Sequence, residues 1–347
     1  MALELPPWFE ITSLVAMIVL IVVDLLIVAR RPHVPSTKES ALWVSFYVAL
    51  ALAFGGVIWA VGGATPAAEF YTGWLMEYSL SVDNLFIFII IMARFAVPRE
   101  QQQRVLMVGI IMALVFRAAF ILAGAAIIER FTAVFYLFGA FLLYTAIKLV
   151  IDELKEEEED FKENALIRTL RRVLPLDHHY DGAKLRTVVD GKKLFTPMIV
   201  VFVAIGSTDL MFALDSIPAI FGVTTDPFLV FATNLFALMG LRQLYFLLGG
   251  LMDRLVYLPY ALAAILAFIG VKMVLEALHT NTLPFLNDGH GFHWAPEVPI
   301  WLSLTVIIAS LTIGTVASLL STRGGATAHL KSDEKASDKK AEVTTGD

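Results

Sequence analysis

Four acidic residues, Glu77, Asp83, Asp209 and Asp215, fall inside stretches of chain that are otherwise apolar enough to cross a bilayer. They form two pairs with the same six-residue spacing, in EYSLSVDNLF (77–86) and DLMFALDSIP (209–218). A charged side chain in the middle of a spanning helix costs about 2.5–3.5 kcal/mol on insertion scales, so such residues mark ion or proton sites or pair with a buried base. Asp24 is a fifth acid of this kind. Carboxylate and carbonyl oxygens suit a hard divalent cation such as Mn²⁺, Mg²⁺ or Ca²⁺. The 347 residues contain no cysteine, which excludes disulfides and thiolate metal sites, and the spans contain no histidine, which disfavours Zn²⁺ and Cu⁺. The candidate ligands are Glu77, Asp83, Asn84, Asp209, Asp215 and Ser216. Asp24, Arg117, Lys148, Arg242 and Lys272 are candidates for proton coupling or support.

The elements that must position these residues follow from hydropathy. The chain is 58% hydrophobic, and apolar runs of roughly twenty residues, the length that crosses the hydrocarbon core, recur along it. They predict an all-α polytopic membrane protein with nine spans: Ile11–Ala29, Ala41–Val61, Phe70–Ala93, Val105–Ile128, Phe131–Val150, Pro197–Phe221, Phe228–Leu248, Leu258–Leu278 and Val298–Leu320. The first run has an acidic lead-in and no small-residue cleavage site, so it reads as a retained helix rather than a signal peptide. After Ser321 the composition turns polar, which predicts a disordered tail.

Of the 26 basic residues, 21 lie on one set of connections and in the tail, and the opposite set holds only Arg130. Basic loops stay cytoplasmic, so the N-terminus is expected outside and the tail inside a bacterial plasma membrane. The net charge of -6 comes largely from the acidic run 153–160, and nothing in it suggests nucleic acid.

The two motifs belong to a longer echo. ALVFRAAFILAGAAIIER (113–130) matches ALMGLRQLYFLLGGLMDR (237–254), and GAFLLYTAIK (139–148) matches AAILAFIGVK (263–272). With a one-residue gap in the first of these alignments Arg117 pairs with Arg242, and Lys148 aligns directly with Lys272. Each unit holds three spans, an odd number, so the second enters the membrane from the opposite side, as in the inverted repeats of secondary transporters. This predicts two N-terminal helices (1–69), a first repeat (70–150), a charged cytoplasmic loop (151–196), a second repeat (197–278), an external loop (279–297), a last helix (298–320) and the tail (321–347). A competing explanation is that apolar helices resemble one another in any case.

Six residues on a regular helix turn through about 600°, leaving Glu77 and Asp83 about 120° apart in direction and about 9 Å apart along the axis. One site can use both only if the helix is interrupted, and Ser79 and Ser81 between them predict a break there. Gly206, Ser207, Thr208 and Pro218 predict the same beside Asp209 and Asp215. Antiparallel motif helices put Glu77 and Asp215 in the outer half of the membrane, with Asp83 and Asp209 in the inner half. A purely structural expectation competes here too: the acids serve only to neutralise Arg117, Arg242, Lys148 and Lys272.

The segments EFYTGWLMEYSLSVDNLF (69–86), DLMFALDSIPAIFGVTTDPF (209–228), NLFALMGLRQLYFLL (234–248) and IGVKMV (269–274) resemble the TerC family of integral membrane proteins, first named for tellurium resistance and including the Alx-type proteins. The resemblance runs from about Ile11 to Leu320. It implies a plasma-membrane transporter related to the LysE superfamily, with Mn²⁺ efflux as its activity and Mn²⁺ as substrate rather than resident cofactor. It places the family's acidic motif positions on Glu77, Asp83, Asp209 and Asp215, its first-span acid on Asp24, and adds Asn234 as a supporting residue. The loop Gly182–Lys193 and the tail depart from the family pattern.

Other signals are weaker. DHHYD (177–181) has the donors of a metal sensor but reads more simply as a solvated loop, and His290, His293 and Asp288 in the external loop could collect an exported metal. No nucleophile-plus-base arrangement or phosphate-binding glycine loop appears, so neither an enzyme nor an ATP-driven pump is expected. Two alternatives remain beside the cation exporter: a membrane scaffold for a stress-resistance or protease complex, docking through the loop or tail, and an amino-acid exporter.

Overall fold

The computed structural model describes residues 5–30, 35–131, 133–154, 192–248, 257–281 and 294–321, with 167, 172, 174–175, 177, 179–182, 184–189, 283 and 286–292 between them. Side chains of residues 27–30, 83, 86, 129, 192, 215 and 248 lie outside that description. The expected tail lies outside it as well.

The helices are α1 (Pro7–Arg30), α2 (Thr37–Gly62), α3 (Ala64–Arg94), α4 (Arg99–Arg130), α5 (Val134–Leu154), α6 (Met198–Phe221), α7 (Pro227–Leu238), α8 (Leu241–Leu248), α9 (Leu258–His279) and α10 (Ile300–Ser321). Among the described residues, nine helical stretches are long and apolar enough to cross a membrane, with α7 and α8 together making the seventh. They coincide with the nine expected spans to within a few residues at most ends. Local chemistry sets several boundaries. Ser36 caps α2 by accepting from the Glu39 amide at 3.2 Å, and Asp226 caps α7 by accepting from the Phe228 amide at 2.8 Å, just before Pro227. Along α1 and α10, Trp8, Val15, Trp301, Ile313 and Leu320 point outward from the protein, the surface that hydrocarbon tails cover.

The two triplets α3–α5 and α6–α9 interleave: α3 packs on α7, α4 packs on α6, and α5 packs along α9. The α5–α9 contact is close because glycines face each other. A Cβ on Gly139 would lie 2.8 Å from the Gly270 carbonyl oxygen, and one on Gly270 would lie 3.0 Å from that of Gly139. Small residues at such crossings let backbones approach where no hydrophobic force drives helices together.

The expected interruptions of the motif helices are absent. α3 runs unbroken from Ala64 to Arg94, and α6 from Met198 to Phe221. The hydroxyls of Ser79 and Ser81 are buried without partners, so they do not compete for the backbone ladder of α3. Ser207 and Thr208 both donate to the Ala204 carbonyl within the helix, which the ladder tolerates. Pro218 lies in the last turn of α6, which continues past it to Phe221 although proline offers no N–H to the Leu214 carbonyl. The break lies in the seventh span instead. Met239 is extended (φ −62°, ψ 128°) and Gly240 has φ +83°, a left-handed conformation that glycine adopts without strain.

Within the loop expected to be simply charged, β1 (Arg186–Val189) pairs antiparallel with β2 (Lys192–Phe195), Arg186 opposite Phe195 and Val189 opposite Lys192. Tyr180 ties this hairpin to the membrane helices by donating to the Phe95 carbonyl at 2.6 Å.

Candidate functional site

The interleaved triplets bring one residue from each of four helices to a common buried point. α3 supplies Glu77, α4 Arg117, α6 Asp209 and α7 Asn234, all at most 3% exposed. Arg117 Nη1 donates to Glu77 Oε2 and, at 2.8 Å, to Asn234 Oδ1. Asp209 is near enough to interact electrostatically with both Arg117 and Glu77. Beside them a cavity of about 10 Å³, room for a single water or a bare ion, is lined by Ser81, Asn84, Arg117, Asp209, Leu238 and Leu241 among others.

The cluster is charged and incompletely satisfied. Glu77 Oε1, Asp209 Oδ2, the Ser81 hydroxyl, Arg117 Nε and Asn234 Nδ2 are all buried without hydrogen-bond partners. Buried polar atoms are nearly always bonded, and an exception calls for an explanation such as an ion or water. One guanidinium faces two described carboxylates and can neutralise only one of them, so the other needs a proton, a cation or a further partner in a low-dielectric interior.

A second acid–base pair lies across the break in the seventh span. Arg242 Nη2 donates to Asp24 Oδ1 at 3.3 Å, and the Tyr47 hydroxyl donates to the same oxygen at 2.8 Å. A cavity of about 20 Å³ adjoins them, lined by Asp24, Tyr47, Ile110, Leu238, Gly240, Arg242 and Gln243 among others, and the Gln243 Oε1 is buried without a partner. Ile110 and Leu238 line both cavities, so the end of α7 separates the two sites.

These positions revise several expectations. Glu77 and Asp209, expected on either side of the membrane midplane, are near enough to interact electrostatically, since α3 and α6 pack together. Asp83 and Asp215 lie on the same helices, but their side chains fall outside the described residues. α3 is continuous between positions 77 and 83, so the interruption on which the expected single site using both acids depends is not there. Asn84 joins the cavity, whereas Ser216 is buried with an unpartnered hydroxyl but is not among its lining residues. The neutralisation expectation holds for Glu77 with Arg117 and for Asp24 with Arg242. It fails for Lys148, which is exposed on α5, while Lys272 on α9 is partly buried and interacts electrostatically with Glu276 and Glu69.

Among the described residues, no three His, Asp or Glu side chains are grouped to hold a metal ion. That bears on both weaker signals. His279 is engaged with Glu297 at 3.1 Å and with the Ala295 carbonyl, while His178 and His293 lie outside the described residues. Asp181 accepts from Lys184 and Thr187 within the hairpin region; the Lys184 side chain holds its carboxyl below the usual range.

Tyr47, Gln243 and Glu69 were not singled out from the sequence, and Ser81 only as a helix breaker. Each is a polar side chain inside an apolar run, a signal as visible as that of Asn84. Glu69 accepts from the Thr224 hydroxyl at 2.7 Å, tying the start of α3 to the loop that caps α7.

Comparison with known proteins bears on the whole arrangement. Residues 62–326 match the integral membrane protein TerC family, a stretch that includes every residue of the Arg117 cluster. The chain is 47% identical over 309 residues to the uncharacterized membrane protein Rv2723 of Mycobacterium tuberculosis, covering 88% of this chain and 78% of that one. It is 42% identical over 282 residues to the thylakoid membrane protein TERC of Arabidopsis thaliana, covering 81% and 69%. It is 39% identical over 270 residues to an Escherichia coli K12 protein with the name "Putative membrane-bound redox modulator Alx", covering 75% and 84%. No solved structure matches the chain. Nine apolar helices, the two acidic motifs and a match over most of the chain lead to one conclusion: this protein belongs to the TerC family of integral membrane proteins.

Proposed function

We propose that the protein is a secondary transporter that exports a divalent cation, Mn²⁺ foremost, across the bacterial plasma membrane, with protons as the exchanged ion. The observation that carries this reading is the pair of buried carboxylates, Glu77 and Asp209, each with an unpartnered oxygen, linked through Arg117, with Asp209 and Arg117 lining an ion-sized cavity. Oxygen donors from carboxylate, amide (Asn84) and hydroxyl (Ser81) suit a hard cation and offer nothing to a soft one.

The packing supports an inverted repeat. Exchanging the triplets carries the α3–α7 contact into the α6–α4 contact and leaves α5–α9 unchanged, as a two-fold axis in the membrane plane requires. Such an axis provides two related states that open the same site to opposite sides. The distribution of basic residues supports an N-terminus outside and a tail in the cytoplasm. A redox role, suggested by the name of the Alx relative, has no support from thiol chemistry, since the sequence lacks cysteine.

The test is efflux from bacteria loaded with Mn²⁺. Cells producing the protein should clear the metal, and cells producing Asp209→Asn at equal membrane abundance should retain it. Clearance by Asp209→Asn at the normal rate would overturn this reading.

A further inference from the structure

We infer that Arg117 is the protein's own stand-in for its cargo: its guanidinium occupies the acidic site when no cation is bound, shifts off Glu77 onto Asn234 when a divalent cation binds, and returns to neutralise the emptied site. This rests on the transport reading above and names the residue that regulates that site.

The contacts supply the argument. A guanidinium is a cation that bonds carboxylates, and this one lies where a metal ion would lie, on Glu77 Oε2 and electrostatically close to Asp209. A divalent cation drawn to the free Glu77 Oε1 and Asp209 Oδ2 would meet a like charge in a medium that screens poorly. The two cannot share the site, so binding must displace Arg117. The structure provides somewhere to go: the Nη1 that holds Glu77 already holds Asn234 Oδ1, on the other triplet's α7. Asn234 is neutral, so it keeps the guanidinium bonded without competing for the metal.

The consequence concerns the return half of the cycle. On the return half the exchanged protons must otherwise neutralise both buried carboxylates, since a metal-free carrier returning with either one bare would carry uncompensated charge through its conformational change. With Arg117 seated on Glu77, one of the two is neutralised from within. Arg117 thereby lowers the affinity for cargo and speeds the return of the empty protein, two effects that a merely structural arginine would not produce together.

Purified protein in liposomes separates them, using Mn²⁺ as the probe. In Arg117→Gln the half-saturating Mn²⁺ should fall by about tenfold, because no tethered competitor lowers the fraction of free sites. Exchange of internal for external Mn²⁺ should persist, while net efflux falls by about tenfold or more as empty carriers fail to return. Arg117→Lys, which keeps the charge but not the two-way hydrogen bonding, should restore net efflux and leave affinity between the two. Asn234→Ala should move affinity the opposite way, to weaker Mn²⁺ binding, and it keeps the question decidable if Arg117→Gln does not fold. Unchanged affinity and an unchanged ratio of exchange to net efflux in Arg117→Gln would overturn the inference, as would Asn234→Ala binding Mn²⁺ no more weakly than the parent. A wild-type protein that moves no Mn²⁺ would instead overturn the transport reading, and the affinities from Mn²⁺ binding alone would still decide the role of Arg117.

Discussion

Arg117 and Arg242 occupy matching places in the two repeat units, yet their surroundings differ in kind. Arg117 is 1% exposed, and it is enclosed by Glu77 of its own unit and by Asn234 and Asp209 of the other. Arg242 is 8% exposed and pairs with Asp24 of α1, outside both units, through a longer 3.3 Å contact to a side chain 27% exposed. The backbones differ as well: α4 is continuous through Arg117, whereas the helix carrying Arg242 restarts only after Met239 and Gly240. One charge pair is therefore built into the core that both units share, and the other latches a peripheral helix onto a broken one. On the proposed transport reading, such a difference would let one of two related conformations be favoured over the other.

Removing each arginine in turn should expose that contrast most strongly. Arg117→Ala leaves Glu77 buried and bare, and should destabilise the protein by about 3–5 kcal/mol. Arg242→Ala takes one charge-assisted bond from a carboxylate that keeps Tyr47 and partial exposure, and should cost about 1.5–3 kcal/mol. Thermal unfolding in detergent measures both; equal losses would erase the distinction.

Gly240→Ala attacks the break alone. It forces a Cβ into a left-handed backbone and to 2.9 Å from the Tyr47 ring, so a loss of about 1–3 kcal/mol is expected. The damage should fall on the Asp24 side, with Mn²⁺ affinity at Glu77 and Asp209 little altered. Tyr47→Phe is smaller again, deleting one bond to Asp24 for about 1 kcal/mol in the same unfolding measurement.

These expectations also show which features could be read from residues alone. Span number and position were legible because bilayer thickness sets a length that composition reveals directly. The importance of Glu77, Asp209, Arg117 and Arg242 was legible because charge inside a span is costly wherever it occurs. Their partners were not. Arg117 reaches Glu77 across 40 positions and Asn234 across 117, and Arg242 reaches Asp24 across 218, separations that only packing of the units decides.

The break was misplaced because Ser79, Ser81 and Pro218 are tolerated by continuous helices, while the residue that marks it, Gly240, sits inside a run that looks uniformly apolar. The hairpin had a signal that went unread. Asp190-Gly191 stands between RTVV and KKLF, a two-residue turn sequence flanked by strand formers.

The smallest effect lies far from both arginines. Asp181 has its carboxyl lowered below the ordinary 3.8 by bonds from Lys184 and Thr187. A depressed folded value means that its support for the hairpin is complete above pH 3.8 and is lost as pH falls through the lower folded value. Amide hydrogen exchange at Thr187 should be insensitive to this group above that pH and faster below it. Neither arginine pair should report that change, which separates the hairpin from the core.

The central claim is that Glu77 and Asp209 together form a cation site. Mn²⁺ is paramagnetic, so electron paramagnetic resonance of the purified protein titrated with Mn²⁺ counts bound metal directly. The account predicts a saturable bound Mn²⁺ in the wild type that Glu77→Gln and Asp209→Asn each abolish, while Asp24→Asn retains it. Undiminished Mn²⁺ binding in the Glu77→Gln/Asp209→Asn double variant would contradict it.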